Sequence, residues 1–204
     1  MESTSERDFD LQPPSVAGRP MRADAKRSLD ALLQAAKTVF ATSGVDAPIR
    51  EIAEEAGVGL GTLYRHFPQR ADLIAAVFRR EIDACAAAAP ILSAENSPFE
   101  ALAIWMQRYA VFIATKRGLA HVLHSGDPAF EGLRDHFEAT LRPALHKLMG
   151  TAVEAGEIRA DIDVDELLGA AASVCMSTYN AGSGQAERMV TLLVDGLRHG
   201  AALC

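Results

Sequence analysis

Hydrophobic residues recur every three or four positions along most of this 204-residue chain, the pattern of helices that bury one face. The clearest stripe lies within residues 23–42 and consists of Leu29, Leu32, Leu33, Ala36, Val39 and Phe40. No segment alternates apolar and polar residues as a half-buried strand would. The pattern therefore predicts an all-α fold of about nine helices.

Proline and glycine residues set the boundaries of the predicted elements. Residues 1–20 include Pro13, Pro14 and Pro20 and few large apolar side chains, so they are predicted to be a disordered leader. The later helices are expected over about residues 70–90, 98–115, a short stretch after 118, 128–155, 164–180 and 185–203. Pro90 is expected to end the first of these and Pro143 to bend the helix over 128–155.

Two short helical patterns meet at a glycine within residues 49–67. Ile52 and Ala53 supply the apolar face of the first, and Leu63 supplies that of the second. Gly57 stands where a left-handed backbone angle would end the first helix. This layout is typical of a helix-turn-helix, whose second helix enters the DNA major groove. The alternative is a solvated helical hairpin with an ordinary polar run.

The second helix of this pair carries side chains suited to DNA on its outer face. Arg65 can bond guanine through two hydrogen bonds, and Thr62 offers a hydroxyl and a methyl group to base edges. Tyr64 and His66 have polar tips that suit phosphate oxygens. For His66 the alternative is that its ring packs against the helix over 23–42.

Charge is distributed unevenly along the chain, which has a net charge of −7. Residues 19–80 hold ten Lys/Arg and seven Asp/Glu, for a net charge of +3. Residues 1–18 carry −3 and residues 81–204 carry −7. A basic module joined to an acidic one is consistent with a DNA-binding head on a separate body.

The run Thr62-Leu63-Tyr64-Arg65-His66-Phe67, followed by Arg70-Ala71-Asp72-Leu73, resembles the amino-terminal signature of TetR-type transcriptional regulators. The similarity extends upstream through Phe40, Gly44 and residues 49–53, and covers roughly residues 25–78. It implies a helix-turn-helix DNA-binding domain over residues 21–68 and a helical ligand-binding and dimerisation domain over residues 69–204. It also places Arg50 and Arg70 near DNA. The predicted DNA-binding set is Arg50, Thr62, Tyr64, Arg65, His66 and Arg70.

Two residues depart from the pattern of that family. Gly59 stands where many members have serine or threonine as the cap of the recognition helix, and Ile49 replaces a common threonine. Each change removes a hydroxyl that would bond phosphate, although neither is expected to disturb the fold.

The acidic body holds a cluster of large side chains that could line a ligand pocket. Apolar pockets with a few polar tips are typical small-molecule sites. The candidate ligand-binding residues are Trp105, Met106, Tyr109, Phe112, His121, His124, Met176 and Tyr179. The alternative is that these residues are simply core. His121 and His124 lie one turn apart but lack a third ligand at fitting spacing, so no metal site is predicted.

The resemblance further implies that the last two helices pair with their counterparts in a homodimer, whose symmetry matches palindromic double-stranded DNA. The predicted function is a transcriptional repressor that a small-molecule effector releases from a palindromic operator. The alternatives are a corepressor-dependent regulator or activator, a small-molecule binding protein that no longer binds DNA, and an enzyme with an incidental helix-turn-helix.

Other classes of protein find no support in the sequence. No catalytic constellation, phosphate loop or cofactor motif is present, so neither an enzyme nor a cofactor is predicted. No apolar run approaches the ~20 residues that span a bilayer, and the first residues are not a secretory signal. The three cysteines, Cys85, Cys175 and Cys204, fit no disulfide framework. We expect a cytoplasmic protein without membrane association.

Overall fold

A computed structural model describes residues 18–114, 130–177 and 183–198 of the chain. Within these ranges there are eight helices and no strands, which confirms the all-α prediction. None of the described helices is long and apolar enough to cross a membrane. The helices are α1 (Gly18–Ser43), α2 (Ile49–Glu55), α3 (Leu60–His66), α4 (Arg70–Glu95), α5 (Pro98–Ala114), α6 (Glu131–Glu154), α7 (Val164–Ser177) and α8 (Ser183–Gly196). The short helix predicted after residue 118 lies outside the described residues.

Helices α1, α2 and α3 form an N-terminal head around a small apolar core. Its buried residues include Leu32, Ala36, Val39 and Phe40 of α1, Ile52 and Ala53 of α2, Leu63 of α3 and Phe67. Ala53 is small where α2 meets its neighbours, which allows the short helices to approach one another closely.

The predicted start of the first helix, at residue 23, was too late. Helix α1 begins at Gly18, so residues 18–20 of the predicted leader are helical. Pro20 lies in the first turn, where its missing N–H would have no intrahelical partner in any case.

Helix α4 connects the head to the body and does not stop at Pro90 as predicted. It continues to Glu95, and Asn96 follows in an extended conformation. Ala88, Ala89 and Leu92 are buried on either side of the proline. Their burial offsets the cost of a proline inside a helix, about 3 kcal/mol. The chain leaves the helix at Asn96, whose backbone N–H and side-chain amide both donate to the Leu92 carbonyl.

The body is built around α5, which packs against α4, α6, α7 and α8. Helix α6 continues through Pro143, and the turn at its end contains Gly156 with a φ of +69°. Helix α8 ends at Gly196, earlier than the predicted residue 203. The next two backbone N–H groups, of Leu197 and Arg198, bond carbonyls three residues back, so the chain tightens into a turn there.

Candidate nucleic-acid interface

The turn between α2 and α3 has a geometry that fixes the angle between the two helices. The N–H of Gly57 donates to the carbonyl of Glu54, and the N–H of Val58 donates to the carbonyl of Ala53. This pair of bonds is the Schellman arrangement, in which the residue after the cap takes a left-handed conformation. Gly57 has a φ of +65°, which confirms the role predicted from its position.

Helix α3 is anchored by Leu63 and exposes its polar residues. Leu63 is 1% exposed, whereas the next residue, Tyr64, is 52% exposed. Arg65 is also exposed, and Thr62 and His66 are half-buried. The ring of His66 lies 6.3 Å from that of Phe67, centroid to centroid. The helix therefore brings four of the six predicted DNA-binding residues together.

The start of α3 is held by backbone groups alone. Gly59 is its N-cap, with φ −71° and ψ 149°, and its carbonyl accepts the N–H groups of Thr62 and Leu63. No side chain caps the helix at this end. Helix α3 therefore lacks a capping hydroxyl, as expected from the glycine at position 59.

The exposed groups of this face have no competing partners in the described part of the chain. Arg50, in the first turn of α2, and Tyr64 and Arg65 of α3 form no hydrogen bond or ion pair with any described side chain. Cations and hydroxyls without protein partners are available to phosphate oxygens and base edges. Their contact with DNA remains a prediction.

Arg70 occupies a different environment from the other five predicted residues. Its Nε donates to the carbonyl of Val45 at 3.1 Å, and one Nη donates to the carbonyls of Val45 and of Ala47, the latter at 2.6 Å. These carbonyls belong to the loop between α1 and α2. Arg70 thus joins that loop to the first turn of α4, a role that the sequence did not reveal.

One turn of α4 is bonded to both the head and the body. Towards α1, Arg80 pairs with Asp30 at 3.0 Å and Glu81 pairs with Lys37 at 2.9 Å. Towards α6, Asp83 Oδ1 lies 2.6 Å from His136 Nε2. In addition, an Nη of Arg79 donates to the carbonyl of Gly132 at 3.3 Å. A shift of α4 relative to either neighbour must therefore alter these contacts.

The aromatic residues predicted to line a ligand pocket are packed together in the body. Trp105 and Tyr109 stack with a centroid separation of 5.9 Å, and both are fully buried. Trp105 Nε1 donates to the Cys85 carbonyl at 2.9 Å, and the Tyr109 hydroxyl lies 3.4 Å from the Leu168 carbonyl. Burial raises the pKa of Tyr109 well above its ordinary value.

Among the other candidates for the pocket, Phe112 is buried and lies beside Tyr109, with ring centroids 6.3 Å apart. Met106 is buried, but Met176 is 49% exposed on α7. His121, His124 and Tyr179 lie outside the described residues. The spacing of apolar residues along α5 was consistent with the burial of Trp105, Tyr109 and Phe112. It could not show whether space for a ligand remains between these side chains.

A cleft of about 330 Å³ lies between the head and the body. Its apolar walls include Phe40 of α1, Val77 and Phe78 of α4, and Val111 and Phe112 of α5. Phe112 is the one predicted ligand residue among these, whereas Trp105, Met106 and Tyr109 do not line this cleft.

Comparison with known proteins identifies the family. Residues 32–77 match the family model described as bacterial regulatory proteins, tetR family. Residues 97–199, about half of the chain, match the one described as transcriptional regulator SbtR-like, C-terminal domain. The chain belongs to the TetR family of transcriptional regulators. It is therefore a DNA-binding regulator with a helix-turn-helix head and a helical C-terminal domain.

Solved structures of other TetR regulators have the same fold. A TetR transcriptional regulator from Streptomyces coelicolor is 40% identical, with a TM-score of 0.69 over 83% of this chain and 97% of that one. A TetR regulatory protein from Mycobacterium vanbaalenii is 35% identical, with a TM-score of 0.68 over 88% of this chain and 99% of that one.

Sequence similarity to a curated relative is confined to a shorter segment. A helix-turn-helix-type transcriptional regulator of Staphylococcus aureus is 41% identical over 64 residues, which is 31% of this chain. The match spans 35% of the length of that regulator.

Proposed function

We propose that this TetR-family regulator is a homodimeric repressor that leaves a palindromic operator when a small-molecule effector binds its body. The observation that supports DNA reading is the exposure of Tyr64 and Arg65 on a short helix that Leu63 anchors in the head. Such a regulator would act in the cytoplasm, where operator DNA is accessible.

The roles of the DNA-facing residues follow from their chemistry. Arg65 bonds a guanine edge, and Thr62 contacts a thymine methyl or a base edge. Tyr64 and Arg50 bond phosphates and orient the head on the duplex. His66 contributes its ring nitrogen at the end of α3. Arg70 acts indirectly, because its guanidinium holds the loop before α2.

The dimer would form through the outer sides of α7 and α8, two helices that pack against each other. Met176 of α7 and Met189 and Leu192 of α8 are 49%, 38% and 66% exposed, so both helices turn large apolar side chains outward. Beside Met176, α7 exposes the small residues Gly169, Ala170 and Ser173. Small residues allow close approach of a partner helix, and a two-fold axis would place two α3 helices on successive major grooves.

Helix α4 would transmit the effector signal to the head. Its ion pairs and side-chain hydrogen bonds to α1 and α6 lie within residues 79–83, so one turn of α4 would sense a change in the body and pass it to the head. A coupling of about 1–3 kcal/mol between effector and operator is typical of such regulators. Such coupling requires that the effector bind the DNA-bound conformation and the released conformation of the protein with different affinity.

The proposal is tested by titrating the protein against fluorescent fragments of the DNA upstream of its own gene. We expect Tyr64→Ala to weaken binding about tenfold or more, and Arg65→Ala to weaken binding and reduce discrimination between operator variants by about 1–3 kcal/mol. Arg134→Ala, on an exposed side of α6, is the matched control and should bind as the wild type does. The proposal fails if no fragment binds or if both head variants match this control.

Transcription of the bound promoter in a purified system separates a repressor from an activator. We expect the wild-type protein to lower transcript yield, and Tyr64→Ala to restore it. A rise in transcript yield with the wild-type protein would identify an activator instead.

A further inference from the structure

The cleft between the head and the body is a candidate for an effector site because most of its lining is apolar. Its volume of about 330 Å³ is at the lower end of the range for small-molecule sites. The stacked pair Trp105 and Tyr109, by contrast, is fully buried core. The cleft beside α1 thus includes one predicted ligand residue, Phe112, but not Trp105, Met106 or Tyr109.

The walls of the cleft suit an apolar group. Phe40, Phe78 and Phe112 line it from three different helices but are themselves buried, whereas Ala84 and Val111 are exposed. A ligand that covers these side chains would gain about 25 cal/mol for each Å² of apolar surface that it removes from water.

The charged groups of the cleft favour an anion. Lys37, Glu81 and Arg108 line it, so its net charge is +1. Lys37 and Glu81 pair with each other at 2.9 Å. Arg108 is exposed, is the only cation of α5, and has no acidic or hydrogen-bonding partner within the described ranges. An arginine without a partner beside an apolar surface is well suited to bind a carboxylate or sulfonate.

We propose that this cleft binds a small amphipathic anion, with its apolar part against the exposed side chains of Ala84 and Val111 and its acidic group on Arg108. One wall belongs to the head and the others to the body, so the occupant determines the separation of α1 from α4. The consequence for operator release depends on the function proposed above, whereas binding itself does not.

The test measures binding by isothermal titration with three probes, 1-naphthoate, octanoate and 8-anilinonaphthalene-1-sulfonate, against the neutral 1-naphthalenemethanol. We expect at least one anion to bind once per chain below about 1 mM, and the neutral compound to bind about tenfold more weakly than 1-naphthoate. The absence of binding by all three anions at that concentration would overturn the proposal.

Two pairs of variants localise the site. Ala84→Trp places a large ring in the cleft, and Ala87→Trp places the same ring on an exposed position of α4 that does not line it. Arg108→Gln removes the cation of α5, and Lys147→Gln removes an exposed charge from α6. We expect Ala84→Trp and Arg108→Gln each to weaken anion binding about tenfold, with both controls unchanged. Equal anion affinity of the two variants within each pair would contradict the proposed site. Circular dichroism checks that every variant is folded.

Operator binding without any probe separates the two proposals. If the protein binds no DNA, the repressor proposal fails, while the titrations still show whether the cleft binds an anion. If it binds DNA and the anions bind equally to Ala84→Trp and Ala87→Trp, the cleft fails and the repressor proposal stands. Release of the operator by a bound anion in Ala87→Trp but not in Ala84→Trp supports both.

Discussion

Arg70→Ala removes the side chain that joins the loop before α2 to the first turn of α4. Three hydrogen bonds from a charged donor to two carbonyls are lost, those of Val45 and Ala47. A hydrogen bond to a charged group contributes about 1.5–3 kcal/mol when it is well shielded. Arg70 and Val45 are only half-buried, so in the variant water replaces part of the lost hydrogen bonding. We therefore expect the free energy of unfolding to fall by about 2 kcal/mol in total.

The loss is measurable as a change in thermal stability and in local exchange. For a chain of this size, 1 kcal/mol corresponds to about 2–4 °C in Tm, so Arg70→Ala should lower Tm by about 4–8 °C. Hydrogen exchange should accelerate in residues 44–48 more than in the body. Arg70→Lys keeps the charge but has no fork to reach both carbonyls, so it should recover little of the stability.

A different result would assign Arg70 to DNA. If Arg70→Ala and Arg70→Lys both melt and exchange as the wild type does, the hydrogen bonds to the loop are not stabilising. If Arg70→Ala reduces the salt dependence of operator binding by about one phosphate contact, Arg70 binds a phosphate, as the family resemblance implied.

Three further changes test other parts of the structure. Gly59→Ser adds a hydroxyl that can cap α3 at a position with open space around the new Cβ, and should raise the free energy of unfolding in urea by about 0.5 kcal/mol. Burial raises the pKa of Tyr109, so the folded state keeps a proton that the unfolded state loses above about pH 10. Stability should therefore fall with rising pH there, by up to about 1.4 kcal/mol per pH unit, and Tyr109→Phe should show a shallower fall in urea titrations at pH 9 and 11. Leu192→Glu should dissociate the dimer in sedimentation experiments, whereas Ile91→Glu, an exposed position on α4, should leave it intact.

The head was predictable because its determinants are close together in the sequence. Gly57, the apolar residues beside it and Leu63 lie within one short segment, and their spacing alone defines the turn and the outer face of α3. The continuation of α4 past Pro90 was not predictable, since it depends on the burial of Ala88, Ala89 and Leu92 against other helices. Local propensity favoured a break there, and tertiary packing outweighed it.

The contacts that connect the head to the body could not be derived from spacing. Arg70 bonds carbonyls 23 and 25 residues away, and backbone carbonyls leave no trace in the side-chain pattern. The cleft depends on Lys37 and Arg108, which meet only after α1 and α5 have packed on α4. One signal was available, because Arg108 is the sole cation of α5, a mainly apolar helix.

The bonds on residues 79–83 of α4 have a consequence for how sensitive such a regulator is to its environment. The ion pairs of Arg80 with Asp30 and of Lys37 with Glu81 are partly exposed, and pairs of this kind contribute about 0–1 kcal/mol each. Breaking them costs little free energy, so these pairs alone would not hold the head in one orientation. Dissolved ions screen partly exposed pairs, so the strength of this connection between α1 and α4 should fall as ionic strength rises.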